Sequence, residues 1–89
     1  MDLKEARQGI DSIDREMVRL FCERMELCRD IAEYKRTMQL ALTDPVREQE
    51  KLSEVAAMAG EEMGQYAAEL YSRIFEISKA YQARILETR

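Results

Sequence analysis

The stretch from Asp2 to Met38 constrains the fold more than any other, because it reads as one helix with an apolar seam along its whole length. Written as heptads from Leu3, the seam positions are Leu3, Ala6, Ile10, Ile13, Met17, Leu20, Arg24, Leu27, Ile31, Tyr34 and Met38. All but Arg24 are apolar or aromatic. About 36 helical residues at ~1.5 Å each span roughly 54 Å, whereas a compact globule of this chain length is roughly 30 Å across. One copy cannot cover such a seam. A second copy can, so the expected architecture is all-α: an intertwined helical homodimer.

The remaining residues predict two shorter helices, for three in all. Asp44 as N-cap, Pro45 at the first helical position and Glu48 in the first turns mark a restart. This second helix is expected over Pro45 to Ala59, with Val46, Leu52, Val55, Ala56 and Ala59 forming its apolar stripe. Gly60 supplies a stop, and Gly60 to Gly64 reads as a loop. A third helix is expected from Gln65 to Glu87, with apolar residues including Tyr66, Leu70, Tyr71, Ile74, Phe75, Tyr81 and Ile85. No strand pattern, repeat or low-complexity segment interrupts this reading. At 89 residues, the expectation is a single helical domain over the whole chain, 1–89.

Charge and residue types exclude several functions. Fourteen Lys and Arg against eighteen Asp and Glu leave a formal charge of −4, which disfavours nucleic acid or a membrane surface as partner. Met1-Asp2-Leu3-Lys4-Glu5 lacks the basic start of a leader, and no run approaches a membrane span, so a soluble, unprocessed, cytoplasmic chain is expected. Cys22 and Cys28 are six residues apart on one helix and point in different directions, which suits reduced thiols. The absence of histidine removes Ser-His and Cys-His catalysis and the usual zinc site. No metal and no cofactor is expected. The chemistry is left to carboxylates, cations and amides.

The candidate site residues are those that break the apolar faces. Arg24 stands where Ile or Leu would pack best, and an unpaired guanidinium there is costly to desolvate. It is either a structural ion pair or register-setting seam residue, or it meets an anionic ligand. Lys35, eleven residues on, lies only about 20° around the helix and about 16 Å along it. The two cations could grip opposite ends of a small dianion, with Arg24 offering a planar fork to a carboxylate; for Lys35 alone, solvent exposure is the simpler account. Arg7 is roughly 25 Å from Arg24 and about 100° around, so it reaches such a pocket only from a partner chain, and is otherwise a surface cation. Asp44 is explained by capping alone, but Arg47 and Glu48 are not: Glu48 could accept a ligand hydroxyl and Arg47 could neutralise or position it. Ser78 and Gln82, four apart on one helical face, offer neutral hydrogen bonds to a ligand or to a neighbouring backbone.

Taken together, Leu3-x-x-x-Arg7-x-x-Ile10-Asp11-x-Ile13-Asp14, Glu23-Arg24-x-x-Leu27, Ile31-Ala32-x-Tyr34-Lys35, Asp44-Pro45-x-Arg47-Glu48 and Ile77-Ser78-x-x-Tyr81-Gln82 resemble, in order and spacing, the all-helical chorismate mutases of the AroQ type. The likeness covers nearly the whole chain. It implies an intertwined dimer that converts chorismate to prephenate on the route to Phe and Tyr. It also implies that Arg24 and the partner's Arg7 bind the substrate carboxylates, and that Lys35 and Gln82 hydrogen-bond the ether oxygen. Glu48 would take the ring hydroxyl, while Asp44, Arg47 and Ser78 complete the wall. Two alternatives compete: an isochorismate-pyruvate lyase with a similar cationic pocket, and a non-catalytic helical dimerisation module in which Arg24 sets register.

Overall fold

A computed structural model describes residues 1–87, which form two helices, α1 over Leu3–Thr37 and α2 over Pro45–Glu87. Helix α1 starts where its cap chemistry dictates. The Asp2 carboxylate accepts the Glu5 backbone N–H at 2.8 Å, satisfying one of the orphan donors of the first turn. At the other end, Lys35 and Arg36 lie against the negative pole of the helix. Gln39 turns the chain out at φ 57°, with the Leu40 N–H bonded back to the Lys35 carbonyl at 2.7 Å.

Helix α2 begins as Asp44 and Pro45 predict: the Asp44 carboxylate accepts the Arg47 N–H at 3.1 Å. It does not end at Ala59. Helical residues continue to Glu87, broken only at Gly60, where φ is 89° and ψ 173°. The expectation of three helices is therefore wrong: the described residues form two, and the supposed loop from Gly60 to Gly64 is one glycine wide. That backbone conformation is open almost only to glycine, so one residue bends the chain with no loop needed. The bend is sharp. A straight helix of 43 residues would be roughly 64 Å long, yet the longest dimension of the chain is 53 Å. Across a straight helix Glu48 and Lys79 would be roughly 46 Å apart; instead they form an ion pair at 3.0 Å.

Beyond the bend α2 returns alongside α1 and parallel to it. Arg24 meets Ser78, and Cys28, one turn further, meets Gln82, one turn further. Close approach across the bend depends on a second glycine. Gly64 is buried, and a Cβ built on it would lie 2.9 Å from the Ala56 carbonyl oxygen.

The chain alone buries little. Its apolar core is Ala32 and Val55, and Ser78 and Gln82 are buried with them. The radius of gyration is 16.2 Å, against about 12 Å for a compact chain of this length. Most of the α1 seam is uncovered, with Leu3, Ile10, Ile13, Met17, Leu20 and Leu27 all among the exposed large apolar residues. Among the described residues, no helix is long and apolar enough to cross a membrane.

Candidate functional site

Where α1, the 38–44 connection and both limbs of α2 converge, they enclose an open pocket of about 200 Å³. Helix α1 contributes Arg24, Cys28, Ile31 and Lys35. These positions lie three or four residues apart, so one helical face supplies all four. The connection and the start of α2 add Leu42, Asp44, Arg47, Glu48 and Lys51, and the returning limb adds Phe75, Ser78, Lys79 and Gln82. Every site residue expected from the sequence lines this pocket except Arg7, which is exposed near the start of α1.

Arg24 is held without a counter-ion. One guanidinium nitrogen donates to Ser78 Oγ at 3.1 Å and lies 3.7 Å from Cys28 Sγ. The guanidinium carbon is 5.9 Å from the Tyr71 ring centroid and 5.6 Å from that of Phe75. Ser78 in turn directs its hydroxyl at Met25 Sδ, 3.7 Å away. All these partners are neutral, so among the described residues Arg24 has no ion pair. A structural salt bridge does not account for it. The arrangement orients a half-buried cation and leaves its charge uncompensated, the condition in which an arriving carboxylate gains most.

Lys35 donates to the Leu42 carbonyl at 3.2 Å, which ties the end of α1 to the connection and fixes the ammonium at the pocket rim. Gln82, only 8% exposed, donates through Nε2 to the Cys28 carbonyl at 2.7 Å. A carbonyl accepts only, so this bond sets which way the amide faces. One amide hydrogen is thereby used and a second remains for a ligand. Glu48 pairs with Lys79. Asp44 is occupied with its capping bond to the Arg47 N–H.

Five cations (Arg24, Lys35, Arg47, Lys51, Lys79) face two carboxylates (Asp44, Glu48) around the cavity, a local excess of three positive charges on a chain whose formal charge is −4. Sequence reasoning missed Lys79 and Lys51, along with the apolar wall of Ile31, Leu42 and Phe75. A signal for Lys79 was present: it precedes Gln82 by three residues and so shares its face. For Leu42 there was none, since a connection has no periodicity to read.

Fold and pocket define an all-helical protein with a cationic cleft suited to a small, multiply charged anion. Residues 6–83 match the family model described as chorismate mutase type II. The chain is 30% identical over 87 residues to a chorismate mutase of Methanocaldococcus jannaschii, covering 96% of this chain and 88% of that one. It is 38% identical over 63 residues to a bifunctional chorismate mutase/prephenate dehydratase of Aquifex aeolicus, covering 71% of this chain and 17% of that one. No solved structure matches it significantly. The chain belongs to the chorismate mutase type II family, and the enzyme class that goes with the family is an isomerase.

Proposed function

We infer that this chain is a chorismate mutase, which rearranges chorismate to prephenate in the synthesis of Phe and Tyr. The observation that carries the reading is Arg24: a half-buried guanidinium with neutral partners only among the described residues, in a pocket of net positive charge, in a member of this family. In the rearrangement one C–O bond breaks and one C–C bond forms within a single molecule. No proton, electron or leaving group departs. No nucleophile, base, metal or cofactor is called for, which suits a chain without histidine.

The task left to the protein is to fold a flexible dianion and to stabilise the charge that grows on its ether oxygen. Arg24, set by Ser78 and the two rings, takes one carboxylate bidentately. Arg7 takes the other, from the partner of a homodimer, because within its own chain it lies far from the pocket. Holding both ends brings the carbons that will bond into near-attack geometry. Lys35 and the free hydrogen of the Gln82 amide point their dipoles at the ether oxygen and bind the transition state more tightly than the ground state. Glu48 accepts the ring hydroxyl, and Asp44 and Arg47 complete the wall. The uncovered α1 seam supports the dimer, and the free cysteines suit a cytoplasmic location. Neither lyase activity nor a purely structural role draws support from the comparisons.

The test is direct. Purified protein should deplete chorismate absorbance, with prephenate as the product. Absence of turnover would refute the assignment.

A further inference from the structure

Lys79 stands in the pocket wall, yet the division of labour above gives it nothing to do. It directly follows Ser78 on the returning limb of α2, and its ammonium lies 3.0 Å from Glu48 Oε1 on the outgoing limb. Both side chains are partly shielded, at 39% and 27% exposure.

The other cations near Glu48 are engaged elsewhere. Arg47 and Lys51 approach Glu54, at 4.0 and 3.3 Å. Lys35 donates to the Leu42 carbonyl, and Arg24 to Ser78. Among the described residues, Lys79 is the cation that the structure places on Glu48.

A carboxylate in the wall of a dianion site is a liability unless something cancels it. It repels the ligand, and its two oxygens are free to swing towards the nearest guanidinium. We propose that Lys79 is the positioning residue for Glu48: it holds the carboxylate by Oε1 and neutralises it, so that Oε2 accepts the substrate hydroxyl without repelling the dianion. Lys79 itself does not touch the substrate. The pair also joins the two limbs of α2 across the bend, so the same contact that shapes the wall sets its charge.

This proposal rests on the pocket being the chorismate site, and a double-mutant cycle separates the two. Chorismate kinetics and thermal unfolding are measured for Lys79→Met, Glu48→Gln and the double variant, with Lys79→Arg as the charge-retaining control; Lys79→Gln serves if the Met variant does not fold. Lys79→Met should raise KM about fivefold, the upper range for one solvent-accessible ion pair, with a smaller change in kcat. Lys79→Arg should stay near wild type. In the Glu48→Gln background, removing Lys79 should raise KM no further, since no charge remains to cancel. Equal KM increases in both backgrounds would overturn the proposal, because Lys79 would then act on the substrate independently of Glu48. A drop in melting temperature with KM unchanged would overturn it as well, leaving a merely structural pair. If the wild type turns over chorismate and the cycle is additive, the proposal alone falls; if the wild type is inactive, the site assignment falls with it.

Discussion

At the scale of single residues, Arg24 separates function from stability. Its partners are a hydroxyl, a thiol and two aromatic rings, so Arg24→Leu removes a charge without orphaning another. Stability should change by no more than about 1 kcal/mol in either direction, since a leucine at that seam position offsets the lost hydrogen bond by apolar burial. By contrast kcat/KM should fall at least about a hundredfold, the cost of deleting one side of a desolvated charge pair. Unfolding of the variant would make Arg24 mainly structural.

Gln82 gives a pH prediction with a definite sign. Wild-type activity should stay level through the neutral range, because an amide donates at any pH. In Gln82→Glu an ionised carboxylate would face the Cys28 carbonyl, acceptor to acceptor, so the folded state favours the protonated acid and raises its pKa above the unfolded ~4.3. Below ~4.3 both states are protonated and the bond to Cys28 is kept. Above it the unfolded chain sheds its proton first, so stability falls as pH rises through the folded value. Activity should improve towards acid without reaching wild type, as one acid proton cannot serve both the Cys28 carbonyl and the ether oxygen. A variant whose pH profile matches wild type would place Gln82 away from the ether.

Among the elements, α2 depends on its two glycines for different reasons. Gly60 lies at φ 89° and ψ 173°, where a Cβ costs about 1–3 kcal/mol; Gly60→Ala should lower the melting temperature by at least about 5 °C. Gly64 is helical, and on propensity alone Ala would gain about 1 kcal/mol there. The built Cβ, however, meets the Ala56 carbonyl oxygen at 2.9 Å, a backbone atom with no rotamer in which to retreat. Overpacking of that kind costs about 1–3 kcal/mol, so the clash should outweigh the propensity and Gly64→Ala should also melt lower. A higher midpoint would mean that the two limbs are not in contact at Gly64. Both substitutions should reduce activity too, because the bend sets Glu48 against Lys79 and brings Ser78 and Gln82 back to α1.

For the whole molecule, the prediction concerns the proposed sharing of each site between two protomers. Arg7→Ala and Lys35→Ala should each be nearly inactive as homodimers, since every pocket lacks one cation. Refolded together at 1:1, random pairing yields about half heterodimers, each with one pocket intact and one doubly damaged. Roughly a quarter of wild-type activity should return. Mixed dimers that form but remain inactive would show that Arg7 does not act across the interface.

The sequence alone determined the helical class, the extent of α1, the start of α2 and part of the polar lining of the pocket, because each has a local physical signature. Caps sit at fixed offsets, apolar residues repeat at the helical period, and Arg24, Ser78 and Gln82 interrupt that period on faces meant for packing. Tertiary structure decided the rest. Gly60 to Gly64 holds two glycines and so reads as a loop, but whether glycine ends a helix or merely bends it depends on what the far limb packs against, and Ala56 lies eight residues upstream of Gly64. The Cys28 carbonyl as the anchor of Gln82, the tie from Lys35 to Leu42, and the pairing of Lys79 with Glu48 are likewise contacts between residues distant along the chain or on different elements. No periodicity encodes such pairs; the turn after α1, the bend at Gly60 and the direction in which α2 returns along α1 bring them together.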